Sequence, residues 1–123
     1  MKYLIMVYSN PMTRTVWQGF SPAEQAEAWQ AHATLNEDLA AAGELIVSQA
    51  LADPSLAKRV SVREGRTITS DGPFAEAKEH LAGFYLVECE TIEHVIEHAA
   101  RIPEAAFGLV EVRPVLEPNG LEP

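Results

Sequence analysis

The first eight residues constrain the fold most. Residues 2–8 read as a strand in which both alternating sets are apolar: Tyr3, Ile5 and Val7 on one face, Leu4, Met6 and Tyr8 on the other. Successive side chains of a strand point to opposite faces, so a strand with one solvated face alternates apolar with polar. This one requires cover on both. A chain of 123 residues has the size of one domain with one core. Its own helices can cover one face, which leaves the other for a second subunit. The apolar run reaches Ser9-Asn10-Pro11 too soon for an export signal or a membrane span.

The remaining punctuation is clear in places. Residues 9–20, with Pro11, Gly19 and an isolated Trp17, read as a loop. Ser21-Pro22-Ala23-Glu24 is a helix start, with a capping serine, proline at the first position and glutamate closing the box. The helix runs over 22–42 to a terminating Gly43. At 100° per residue, Ala28, His32, Leu35 and Leu39 fall on one face. Residues 44–50 predict a strand, 58–64 and 66–70 a hairpin turning at Gly65 with Val60, Val62 and Ile68 on its apolar side, and 83–89 a further strand. Residues 75–82 read as a linker. A second helix over about 92–101 buries Ile92, Val95, Ile96 and Ala99, and a last strand covers 107–113. The order β-α-β, hairpin, β-α-β predicts an α+β, ferredoxin-like sandwich with an inserted β-hairpin. The domain spans 1–116, and residues 117–123, rich in Pro, Gly and Glu, form a fraying tail.

The charge balance excludes some partners. Nine basic against eighteen acidic residues leave a net charge of -9, which disfavours a nucleic-acid backbone and an anionic membrane, since both contacts need Lys and Arg. One cysteine, Cys89, forms no internal disulfide and fits a cytoplasmic setting.

Few residues carry chemistry. His32 lies in an apolar stripe. It is either a satisfied core histidine or an acid–base group aimed between helix and sheet. Asp71 precedes Gly72-Pro73 and either caps its own turn or orients His32. Tyr8, Trp29, Gly72, Pro73 and Phe74 make up the candidate ligand pocket, with Phe74 equally readable as a core plug. His94 and His98 have the i, i+4 spacing that holds a metal. They read as solvent-facing and without a nearby third ligand such as Cys, so no metal site is expected. Cys89 reads as core. No Gly-rich phosphate loop or nucleophile elbow is present, and no cofactor is expected.

The run Asp71-Gly72-Pro73-Phe74-Ala75-Glu76, followed by Lys78-Glu79 and Gly83-Phe84-Tyr85, resembles the DGPF domain family, a branch of the YCII-related proteins. Met1-Lys2-Tyr3, Ser21-Pro22-Ala23-Glu24, Ala42-Gly43 and Val110-Glu111-Val112-Arg113-Pro114 extend the likeness over about residues 1–116. Ala77 and Ala82 stand where the family pattern has Thr and Gly. The resemblance implies a dimeric α+β barrel, in which two ferredoxin-like sheets face each other, and a helix histidine with an acidic partner. Those positions fall on His32 and Asp71. It further implies a likeness to small barrel enzymes that act on aromatic or lactone-like compounds. A functional link to an alternative sigma factor of the extracytoplasmic-function type is the rival implication.

Two functions follow as expectations. One is a small-molecule-binding or regulatory domain without catalysis. The other is an enzyme using a His32/Asp71 acid–base pair in a pocket of the dimer.

Overall fold

The structure is a computed structural model that describes residues 1–118, so the expected tail lies, from residue 119 on, outside the described residues. In chain order the elements are β1 (Lys2–Ser9), α1 (Pro11–Gln18), α2 (Pro22–Ala41), β2 (Leu45–Ala50), β3 (Lys58–Arg63), β4 (Arg66–Asp71), β5 (His80–Glu88), α3 (Ile92–Ala99) and β6 (Val110–Pro114). Short 3-10 turns cover Pro54–Leu56 and Pro103–Phe107. Four strands form one antiparallel sheet in the order β2-β5-β1-β6, and β3 pairs with β4 in a separate two-stranded sheet. This mixed α+β arrangement is compatible with a ferredoxin-like fold. Among the described residues no helix is long and apolar enough to cross a membrane.

The register sorts the two faces of the sheet. Tyr3 opposes Val87 and Ile5 opposes Tyr85. These side chains form the core with Leu35 and Leu39 of α2 and Val95 and Ala99 of α3. Leu4 opposes Leu86 and Met6 opposes Phe84 on the other face; none of these four belongs to the core cluster.

Helix α2 starts and stops where its caps dictate. The Glu24 N–H donates to Ser21 Oγ at 3.1 Å and the Ser21 N–H to Glu24 Oε1 at 2.9 Å. At the far end Gly43 takes φ 73°, and the Glu44 N–H donates to the Leu39 carbonyl at 2.9 Å, the Schellman closure that leaves few orphan carbonyls.

Four expectations need correction, the first being that α3 buries Ile96, which is exposed. The loop at 9–20 contains helix α1: Asn10 caps it through the Thr13 N–H at 2.8 Å, Thr13 returns the bond, and Pro11 is its first residue. The last strand begins at Val110 instead of 107, because Pro103 fixes a φ suited to a helical turn and a 3-10 segment forms through Phe107. In the hairpin, Val60 opposes Thr69 and Val62 opposes Thr67, whereas Ile68 opposes Ser61. Ile68 therefore lies on the face opposite the two valines. All twelve strand residues of the hairpin are exposed.

Candidate active site

The inward stripe of α2 changes character along its length. Leu35 and Leu39 are fully buried and fill the core. One and two turns earlier the same stripe offers His32 and Ala28, which leave a space above the sheet. A cavity of about 550 Å³ lies there, under α1 and α2 and over Val7, Ala50, Ala82, Gly83 and Tyr85. Small residues keep it open. Gly83 also has no room to grow, since a Cβ there would come 2.9 Å from the Gln49 carbonyl oxygen.

His32 is held at both ring nitrogens. Nε2 lies 2.9 Å from Glu104 Oε1, and Nδ1 is hydrogen-bonded to the Tyr85 hydroxyl. A carboxylate can only accept, so Nε2 carries the proton and donates to Glu104. In the neutral ring, Nδ1 then accepts from the Tyr85 O–H. The result is a continuous array Glu104–His32–Tyr85 in the cavity wall. Glu104 reaches it because the 3-10 turn after Pro103 raises its side chain beside α2. Tyr85 is only 3% exposed; burial first, and the Glu104 charge second, push its phenol up to about 12. At neutral pH it is a hydrogen-bond donor.

Aromatic rings line the adjoining wall. Trp17 meets Trp29 edge to face with centroids 6.0 Å apart. Trp29 lies 6.3 Å from the His32 ring, and His32 stacks nearly parallel to Tyr85 at 6.0 Å. Ser48 donates to Asn36 Oδ1 at 2.6 Å on another side. At the mouth, Arg14 lies 3.5 Å from Asp53. A concave, mainly apolar space with a few converging polar groups is the usual form of a small-molecule site.

The residues expected to form the site are only partly brought together. His32 and Trp29 line the cavity. Asp71 does not reach His32 within the chain. It pairs with Lys58 across the hairpin and its side chain is 83% exposed. Among the described residues the hairpin strands pair only with each other, which carries Asp71 away from α2. Gly72, Pro73 and Phe74 line a second cavity of about 640 Å³ beside Leu51, Leu56 and Leu81. Phe74 is no core plug, being exposed under the Arg59 guanidinium at 4.5 Å. Tyr8 points to the opposite sheet face, its hydroxyl 3.3 Å from Glu111 Oε1.

Sequence reasoning read Tyr85 as one of several aromatics able to line an apolar pocket, but missed Glu104 and the pairing of Tyr85 with His32. Pro103-Glu104 after a helix end was a local signal for a turn bearing an acid; nothing local marked Tyr85 as the partner of His32. His94 is exposed, as expected, but the reading of His98 as solvent-facing, and of both histidines as without a thiol neighbour, is corrected. His98 is largely buried, with its side chain 13% exposed. Both histidines sit beside Glu44 and Cys89, because the end of β5 and the start of β2 meet α3 there.

The family model described as the YCII-related domain matches residues 1–119. An uncharacterized protein of Rhizobium meliloti (strain 1021) is 30% identical over 117 residues, covering 94% of this chain and 92% of the relative.

Proposed function

The chain belongs to the YCII-related domain family, and we propose that it binds a small planar organic molecule in the cavity under α1 and α2 and exchanges a proton with it. The Glu104–His32–Tyr85 array in the cavity wall carries this reading. Glu104 fixes the tautomer and orientation of the imidazole. His32 and Tyr85 together form the acid–base couple, the phenol presenting its oxygen to the ligand and passing its proton to or from Nδ1. The Trp17–Trp29 wall suits a ring, and the apolar floor suits a substrate with one polar atom, such as a cyclic ketone, a lactone or a phenol.

The test has two readouts. Tryptophan fluorescence titration with a panel of lactones, cyclic ketones and phenols reports binding. Proton NMR in deuterated buffer reports exchange at carbon next to the carbonyl. Catalysed exchange by the parent, lost in His32→Gln while binding persists, is the expected result. Neither binding nor exchange across the panel would overturn the proposal.

A second reading is a binding or regulatory module without catalysis. It is favoured by one observation: both ring nitrogens of His32 are already satisfied by protein groups. Binding without exchange is its signature.

Within the family we place the chain in the DGPF branch, on the run Asp71–Glu76. We also propose that two copies pair through the sheet face bearing Leu4, Met6, Phe84 and Leu86, which lies outside the core cluster and supplies the second cover that β1 requires.

A further inference from the structure

At the other end of β5 from the cavity, four potential ligands converge. His94 and His98 stand one turn apart on α3, with ring centroids 4.5 Å apart. Glu44 lies between them: Oε2 is 2.9 Å from His94 Nε2 and Oε1 is 3.3 Å from His98 Nε2. The Cys89 thiol donates to Glu44 Oε2 at 2.9 Å. One donor atom from each of the four lies within 4.8 Å of all the others. We propose that Glu44, Cys89, His94 and His98 form a structural Zn²⁺ site that clamps β2, β5 and α3 together.

The donor set fits zinc. Two imidazole nitrogens, a thiolate and a carboxylate oxygen make a four-coordinate borderline-soft site. Zinc bond lengths of about 2.0 Å to nitrogen or oxygen and about 2.3 Å to sulfur imply tetrahedral edges of roughly 3.3–3.6 Å. The shorter contacts must widen by a few tenths of an ångström and the longest contract by up to about 1.5 Å. His94, with 46% of its side chain exposed, has the freedom to move. The backbone around Glu44 is already fixed: its N–H donates to the Leu39 carbonyl, and its carbonyl accepts from the Glu88 N–H at 2.8 Å. Glu97 lies 3.6 Å from Nδ1 of His94, the ring nitrogen the cluster leaves unused, where a carboxylate orients a metal-binding imidazole.

Charge favours the same ion. Without a metal the cluster holds the Glu44 carboxylate and a neutral thiol. A divalent cation displaces the thiol proton, as coordination deprotonates a thiol outright. Thiolate, carboxylate and Zn²⁺ then sum to zero with two neutral imidazoles. With four protein donors and no open position, the site is structural.

The experiment uses the whole chain. Cobalt titration of the metal-free parent is expected to give one ion per chain, with a thiolate-to-cobalt charge-transfer band and tetrahedral visible bands. Competition with a chromophoric chelator is expected to show Zn²⁺ affinity weakened at least about 100-fold in His94→Gln and His98→Gln. Zinc is expected to raise the melting temperature of the parent but not of His94→Gln. The exposed position of His94 keeps this test valid even where Cys89→Ser fails to fold. His32→Gln, in the distant cavity, is expected to bind zinc as the parent does, so the two proposals fail separately. No stoichiometric binding would overturn the site. So would binding without a thiolate band, or binding unchanged by His94→Gln.

Discussion

Replacing Tyr85 by phenylalanine removes one hydroxyl and leaves the ring in the core. At pH 8 the loss is that of a single hydrogen bond to His32 Nδ1, about 1 kcal/mol, because the freed nitrogen borders a cavity that admits water. Alkali reverses the sign. The folded phenol ionises at about 12, whereas an unfolded tyrosine ionises near 10. A raised folded value contributes stability that is complete below the unfolded pKa and is lost as pH rises toward the folded one. Between pH 10 and 12 the parent therefore loses roughly 2 kcal/mol through this group alone. Tyr85→Phe has no such loss. Every other alkaline titration, Tyr8 and Cys89 included, is common to both proteins and cancels in the difference. Urea denaturation of the two proteins from pH 8 to pH 12 measures it. The parent is expected to be the more stable by about 1 kcal/mol at pH 8 and the less stable by a similar margin at pH 12. A difference independent of pH would refute both the burial of the phenol and its place beside Glu104.

The same array predicts that Glu104→Gln shifts the His32 imidazole resonances in NMR spectra while Asp71→Asn leaves them unchanged; the opposite pattern would restore Asp71 as the partner. Gly72→Val is expected to lower stability by about 1–3 kcal/mol, because Gly72 holds φ 84°, a region a β-branched side chain enters only under strain; thermal melts that coincide with the parent would remove that requirement. Light scattering at micromolar concentration is expected to give twice the chain mass, and Met6→Lys, which places a charge in the proposed interface, is expected to return the monomer with its circular dichroism intact. A monomeric parent would sink the barrel arrangement.

Where local chemistry settled the structure, the sequence was readable. Ser21, Pro22, Glu24 and Gly43 bounded α2 because caps act within four residues. Helix α1 uses the same device less legibly, since Thr13 replaces the glutamate of the usual box and none of its eight residues is buried to mark an apolar stripe. The stripe Ala28, His32, Leu35, Leu39 correctly aimed His32 inward. What it faced was not legible. His32 meets Tyr85 across 53 residues and Glu104 across 72, and Glu44 meets His98 across 54. Pairing at such distances depends on sheet order and register, which helical and strand periodicity leave open.

Asp71 illustrates the cost of choosing a partner by motif. Its turn is the most recognisable stretch of the chain, yet its geometry is local: the Gly72 N–H donates to the Ala57 carbonyl at 2.8 Å, and Lys58 takes the carboxylate. The residues that organise polar chemistry lie instead on the best-supported strand or directly after it. Tyr85 of β5 and Cys89, one residue past its end, both face the core; β5 is hydrogen-bonded on both sides, to β1 and β2. A central strand opens only with the whole sheet, so groups fixed to it hold their geometry through local fluctuations of loops and helix ends. The proton array takes one member from that strand and the proposed zinc cluster one from the residue that follows it; each takes one carboxylate from a segment just after a helix. Capped helix ends place those carboxylates reproducibly, and the strand gives them a fixed target.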